Sequence, residues 1–388
     1  MITDKGRNIL AKYLIGQAPA YASFIALGCG PKPLLSSDSQ GDYSEVESLD
    51  FEVLRVPISS RGYVYDDAGN ANIVFSAELP TEQRYEFTEI GVFSAKSNPI
   101  AGSSGSRMIY TFSESENWEY HSETAAGSIT TYAEPLYLGE SENTIAVPEV
   151  AFRATSNNAL FVGSPNRIDR HERPRFLDKA LFLRGDISKI QDDGSGGIEL
   201  DSSLPENTRH IHYTGTLATP DLTKNAPADE LRLGFSVINK ADDQLMSIDS
   251  VKIILEFAST DGVSPDNFAR LSVNLDSSTT DFTTNRYFVV SSSLESLQKS
   301  TGFSWSNVNV VKAYVSVYED PVDPADPVAL SENYYVALDG LLFENTTAAS
   351  PLYGMSGYSV LRNDQGLPVI KESNSANLVE FRFGLDVQ

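Results

Sequence analysis

Apolar positions recur at two periods along this chain. Near the start, "ITDKGRNILAKYLIGQ" sets Leu10, Tyr13 and Leu14 at i, i+3 and i+4, with Ile9 beside them and Lys5, Arg7 and Lys12 elsewhere. That spacing predicts one short helix, capped by Thr3 or Asp4 and ended by Gly16. Beyond it the period becomes two. "YASFIALGCG" reads as a strand entering a glycine turn, and "KPLLSSDSQGDYSE" as a polar loop. "FEVLRVPISSRGYVYDD" turns at "DDAGN", "ANIVFSAELP" closes at Pro80, and "RYEFTEIGVFSA" and "RMIYTFSE" follow. Long polar stretches then precede "TAAGSITTYAEPLYLGES" and "TIAVPEVAF".

From Leu177 the strand candidates are "KALFLRGDIS", "RHIHYTGTLA", "ELRLGFSVINK", "DSVKIILEFAST", "NFARLSVNL", "NRYFVVSSS", "VNVVKAYVSVYED" and "NYYVALDGLLFEN". Turn-rich segments separate them, which predicts a β-sandwich or jelly roll. "SSLESLQKSTGF" predicts a helical turn. The tail from Leu352 holds only short strands, "YSVLR" and "LVEFRFGLDV", too few to fold alone, so they are expected to dock on another part of the chain.

One strand breaks its pattern. In "FTEIGVFSA", Thr88, Ile90, Val92 and Ser94 share one face, and Phe87, Glu89, Gly91 and Phe93 the other. A carboxylate between two phenylalanines needs hydrogen bonds or a cation if the face is covered. Glu89 is therefore expected to hold a neighbouring loop through backbone N–H groups, or to pair with Arg55 or Arg61. Gly91 admits close approach of another backbone.

Composition agrees with a strand-rich chain. The 388 residues are 41% hydrophobic, with 18 Tyr and 19 Phe. The net charge of −24 opposes binding to nucleic acid and to anionic membranes and suits solubility, Ca²⁺ or a basic protein neighbour. The single cysteine, Cys29, excludes an intrachain disulfide, and its place between two glycines reads as a small buried residue. Charges interrupt every apolar run near the N-terminus, so neither a signal-peptide layout nor a membrane-spanning helix is expected, and assembly in a cytoplasm is.

Candidate chemistry is sparse. Phosphate-loop, zinc-protease, nucleophile-elbow and C-x-x-C motifs are all missing from the sequence. Of four histidines, His210 and His212 share a strand face at i, i+2, a spacing open to a metal, but no further ligands stand near them in sequence. "DDGSGG" at Asp192–Gly197 lacks EF-hand spacing and reads as a β-turn. Carboxylate pairs for glycoside hydrolysis have no sequence signature here. "SPNRIDRHERPRF" places Arg167, Arg170, Arg173 and Arg175 in an acidic chain, either as a solvated linker or as a docking site for an acidic face. Trp305 stands just before a strand, read as core with a sugar platform as the alternative.

Several of these pieces together resemble the N-terminal pattern of phage tail-fibre and tail-collar proteins. Ile2-Thr3-Asp4-Lys5-Gly6 matches the "LTDKG"-type start, and Phe24 to Gly30 matches an "x-I-A-x-G-x-G" strand. Next come Arg55 in "FEVLRVPI", then "VFSAELP", then Thr88-Glu89-Ile90-Gly91-Val92-Phe93 for "(T/R)EIG(L/V)F". One departure is the turn after the last motif, where "SAKSNPIAGSSG" stands in place of a D-x-D-G type. Residues 177–346 resemble a galactose-binding-like jelly roll of the carbohydrate-binding-module type, through "LDKALFLRG", "VNVVKAYVSVYED" and "YYVALDGLLFEN".

The resemblance implies a mainly β chain: an α+β tail-attachment domain over 1–165, a linker at 166–176, a β-sandwich (jelly roll) over 177–346 and a docking segment at 347–388. It implies a structural protein of a tailed-bacteriophage virion, located in the particle and assembled in the host cytoplasm, not an enzyme. Its partners would be other tail, baseplate or collar proteins in a symmetric homo-oligomer, with no nucleic acid, no membrane insertion, no cofactor and no metal. Gly6, Gly28, Gly30, Arg55, Glu89, Gly91 and Phe93 would be its structural motif. Host-surface glycan recognition, with Trp305 as a sugar contact, is the alternative reading, and polysaccharide degradation the third.

Overall fold

The structure, a computed structural model, describes residues 1–18, 20–30, 43–65, 67, 69–81, 85–94, 108–111, 118–123, 129–132, 150–154, 179–184, 190–192, 198–200, 208–214, 230–239, 248–259, 267–276, 287–308, 310–319, 329–330, 334–344, 354–361, 369–371, 374 and 378–384. For the strands between 108 and 214 the description is of backbone and register.

In chain order the elements begin with helix α1 (Asp4–Leu14) and strands β1 (Phe24–Gly28), β2 (Glu52–Tyr65), β3 (Ala71–Glu78), β4 (Tyr85–Phe87) and β5 (Glu89–Ser94). Then come β6 (Met108–Thr111), β7 (Trp118–Glu123), β8 (Ile129–Tyr132), β9 (Val150–Ala154), β10 (Lys179–Arg184), β11 (Ile190–Asp192), β12 (Ile198–Leu200) and β13 (Thr208–Thr214). They are followed by β14 (Glu230–Asn239), β15 (Ile248–Ala258), β16 (Phe268–Asp276), β17 (Tyr287–Ser293), β18 (Gln298–Lys299), β19 (Val310–Glu319), β20 (Ala329–Leu330) and β21 (Tyr334–Glu344). The last are β22 (Gly354–Val360), β23 (Val369–Lys371) and β24 (Leu378–Gly384). The described chain is mainly β, built from several antiparallel sheets and one α-helix.

Two compact units divide the chain. The first comprises Met1–Ile109, Arg175–Leu177 and Glu344–Gln388. Its main sheet runs β22-β5-β1-β2-β3-β24, with β23 and β4 paired separately. The short C-terminal strands are thus built into the sheet of the N-terminal segment, β22 along β5 and β24 along β3. The central strands β1 and β5 are buried at every position, as unbroken apolar runs covered on both faces should be. β2 starts buried and becomes exposed from Ser59 to Tyr65.

Helix α1 forms where the sequence places it, with Thr3 as N-cap: its Oγ1 accepts from Gly6 N at 2.9 Å, and Asp4 favours the positive helix start. Its buried face, however, is not the expected stripe. Gly6 and Ile9 are buried, whereas Tyr13 and Leu14 are exposed. The cause is close packing on β22. A Cβ on Gly6 would lie 1.9 Å from Ser356 O, and Thr3 Oγ1 donates to Met355 O at 2.5 Å. These contacts fix which side of the helix meets the sheet.

The second unit comprises Tyr110–Pro174 and Asp178–Phe343. One sheet orders β17-β14-β21-β10-β9, with β6 also on β21. The other orders β18-β16-β15-β19-β13-β7-β8, with β20 on β19. Leu231, Leu233, Phe235 and Val237 alternate inward from β14, as do Val251, Ile253, Leu255 and Phe257 from β15. The unit boundary differs from an N-terminal domain over 1–165, because β7, β8 and β9 pair with strands of this second unit. The expected helical turn at 292–303 is instead a turn followed by the two-residue β18, with a 3-10 turn at Trp305–Asn307.

Candidate functional site

Most residues of the N-terminal motif meet on one face of the first sheet. β5 runs between β1 and β22. It sets Phe24 opposite Phe93, Ala26 opposite Gly91 and Gly28 opposite Glu89, and on the other side Tyr358 opposite Gly91 and Val360 opposite Glu89. Directly opposed residues share a face, so Glu89, Gly91, Phe93, Gly28 and Tyr358 are neighbours.

Glu89 is fully buried. Phe51 N donates to its Oε1 at 3.0 Å and Asp50 N to its Oε2 at 3.1 Å, while the Tyr358 hydroxyl donates to Oε2 at 3.3 Å. Space for the carboxylate comes from missing side chains. A Cβ on Gly28 would stand 2.3 Å from Glu89 Oε1, and one on Gly30 would stand 3.0 Å from that atom and 2.6 Å from Asp50 Cβ. Burial first, then the carboxylates of Glu89 and Asp50, hold the Tyr358 phenol protonated far above its usual range.

Neighbouring bonds close the same assembly. Thr88 N donates to Gly28 O at 2.9 Å, Thr88 Oγ1 to Gly30 O at 2.6 Å, Cys29 N to Phe51 O at 3.0 Å and Leu361 N to Thr88 O at 2.8 Å. The turn after β1, the entry to β2 and strand β22 therefore converge on Thr88 and Glu89. Cys29 is buried within this turn.

The arginine of the motif has a different partner. Arg55 Nε and Nη2 donate to the two oxygens of buried Glu52 at 2.6 and 2.5 Å, a bidentate pair, and its guanidinium lies 3.8 Å from the Phe93 ring centre. Arg61 Nη2 donates to Ala22 O at 3.2 Å. Phe93, Phe24, Ala26, Leu49, Met355 and Tyr358 form the apolar cluster around these groups. Gly91 leaves room for Met355 and Leu49, which an added Cβ would approach to 2.8 and 3.2 Å.

Gly28, Gly30, Arg55, Glu89, Gly91 and Phe93 are thus one packed unit, and Gly6 serves the docking of α1 on β22. Sequence reasoning missed Tyr358, Met355 and the Asp50–Phe51 amides; nothing near them in sequence signals the carboxylate they meet. Arg167, Arg170, Arg173 and Arg175 lie outside the described residues. Trp305 is half buried and makes edge contacts with Phe257, Phe303 and Phe343 at 5.1, 5.1 and 5.6 Å between ring centres.

Chemically, the site is an anchor. Both Glu89 oxygens are engaged and solvent does not reach them, so the group is not placed to move a substrate proton. Among the described side chains no group of three or more His, Cys, Asp or Glu is arranged to hold a metal ion. Among the described residues no helix is long and apolar enough to cross a membrane.

No family model matches the chain, and no curated protein matches it. Among solved structures, the Agl-KA catalytic domain is similar over 60% of this chain at 8% identity, with a TM-score of 0.21. This chain spans 28% of the length of that domain, and a likeness so slight carries no argument about function.

Proposed function

We propose that this chain is a structural protein of a tailed-bacteriophage virion, acting in the tail, baseplate, collar or fibre attachment by protein–protein assembly. In this reading the first unit is the α+β attachment domain. The second is a β-sandwich of jelly-roll type that serves as adaptor or projection.

One observation carries the proposal. The residues that resemble the tail-fibre and collar pattern, scattered from Gly28 to Phe93, pack as a single hydrogen-bonded unit around Glu89. A pattern whose members depend on one another in space is better support than the same short matches taken singly. The glutamate that could have signalled chemistry is committed to backbone donors. Exposed apolar groups also suit an assembly protein: Tyr63 and Tyr65 near the end of β2, and Leu14 and Ile15 at the end of α1.

Mass spectrometry of purified particles of the phage that encodes the chain tests the proposal. The chain is expected in the particle at a fixed ratio to known tail proteins. Its absence from infectious particles overturns the reading.

A further inference from the structure

The pairing of β7 with β13 places three of the four histidines side by side. Its register sets His210 opposite His121 and His212 opposite Glu119, with Thr208 opposite Glu123. Opposed residues of an antiparallel pair share a face, and residues two apart on a strand share it too. His121, His210, His212, Glu119 and Glu123 therefore occupy one face of the sheet. Trp118, Tyr120, Ile211 and Tyr213 occupy the other, in line with Val311 and Ala313 of the buried core.

We propose that His121, His210 and His212, with Glu119 as a fourth donor, form a binding site for a divalent transition metal, zinc being the best fit. The donor set argues for it. Three imidazoles and one carboxylate are the borderline nitrogen and oxygen ligands that tetrahedral Zn²⁺ takes, whereas Ca²⁺ and Mg²⁺ prefer all-oxygen sets. The spacing argues for it as well. Opposed Cα atoms in such a pair lie about 4.5–5.5 Å apart, and same-face neighbours along a strand lie about 6.5–7 Å apart. The four positions thus form one compact quadrilateral on adjacent strands. Composition adds weight, because a chain with only four histidines has three of them in this one patch.

The next strand supports the charge balance. Lys312 of β19 stands in register with His212, on the side away from β7. Its ammonium is buried and paired with Glu256 Oε1 at 3.2 Å, and Glu256 also accepts from Arg270 Nε. Lys312 is thus already opposed by a carboxylate. Bound metal would join strands β7 and β13, which lie far apart in sequence, and its binding free energy would add to the stability of their pairing.

The experiment uses the full chain. After chelator treatment and exchange into metal-free buffer, ZnCl₂ is titrated calorimetrically into wild type, His121→Ala, His210→Ala, His212→Ala and, as a control, His171→Ala. Co²⁺ spectra provide a second reading of ligand geometry. Wild type and His171→Ala are expected to bind one zinc per chain and to gain thermal stability on adding it. Each of the other three should bind more weakly by more than the roughly 10–100-fold that loss of an outer-shell partner costs. Circular dichroism identifies variants that fail to fold, for which His→Gln replaces His→Ala. Absence of stoichiometric zinc binding in wild type overturns the proposal, as does equal affinity across all variants. Tetrahedral Co²⁺ bands in wild type that are lost in His210→Ala support it.

Discussion

Replacing Glu89 by glutamine keeps the shape of the side chain and removes only its charge and one acceptor. The consequence follows from the donors around it. Phe51 N and Asp50 N each donate to a different carboxylate oxygen, at 3.0 and 3.1 Å. A glutamine offers one carbonyl oxygen, so in either amide orientation one backbone N–H faces an NH₂ group. A hydrogen bond to a charged acceptor contributes roughly 1.5–3 kcal/mol, and an orphaned buried donor costs about 1–3 kcal/mol. The two overlap, so the expected loss is about 2–4 kcal/mol. At about 2–4 °C per kcal/mol for a unit of this size, the first unit should melt roughly 4–16 °C lower. Calorimetry reads the shift, and hydrogen exchange by mass spectrometry locates it. Peptides spanning Asp50 and Phe51 should exchange faster, while those covering β14 and β15 of the second unit keep their protection. A melting point within about 1 °C of wild type, with unchanged exchange at Phe51, would refute the claim that the carboxylate anchors the entry to β2.

Three further outcomes follow from the same geometry. Gly28→Ala pushes a methyl to 2.3 Å from Glu89 Oε1, so it should cost about 1–3 kcal/mol in denaturant unfolding. Combining it with Glu89→Ala, which vacates that space, should cost less than the sum of the two, and strict additivity would show that the two groups do not meet. Burial pushes the phenols of Tyr21 and Tyr85 up to about 12, from 10.0. The unfolded chain therefore releases these protons first, and stability should be intact below pH 10 and fall as pH rises toward about 12. Alkaline unfolding curves check the sign, and rising stability across that window would contradict it. In the second unit, Lys312→Met leaves Glu256 with Arg270 alone and should cost about 3–5 kcal/mol. Adding Glu256→Leu should recover part of this in the same urea titration.

How legible the fold was depended on where each signal lives. The eight strand candidates after Leu177 all became strands, because each alternates apolar residues between turn-rich segments, and burying one face requires that pattern. β7 went unseen. Only Trp118 and Tyr120 face the apolar side, and four polar residues surround them. The helix was legible but its buried face was not. Gly6, the residue that settles the packing, carries no hydrophobic signal at all. At the Glu89 site the strand supplied the carboxylate and the two glycines before it, and even the kind of partner it needed. Which amides those were, and the hydroxyl of Tyr358, depend on chain-distant pairings that a periodicity cannot express. The metal proposal has the same origin: His210 and His212 stand together in sequence, and only strand register brings His121 beside them.

A carboxylate in this position does what an apolar side chain would not. Alternation alone fixes which face of β5 is buried, and a slip by two residues preserves that face. Such a slip along β1 would move Glu89 from opposite Gly28 to opposite Ala26, whose methyl group fills the space the carboxylate needs. It would also take the oxygens away from the Phe51 and Asp50 amides. A buried carboxylate without donors costs several kcal/mol, enough to exclude the slipped pairing, whereas a leucine at position 89 would tolerate it. The same reasoning applies to β22, whose Tyr358 hydroxyl reaches Glu89 only in the observed register. The glutamate thus selects one alignment of three strands drawn from both ends of the chain. That alignment sets where α1 docks on β22 and where the exposed part of β2, with Tyr63 and Tyr65, projects from the sheet. For a protein that works by assembly, fixed placement of such contact surfaces is the functional output of the motif.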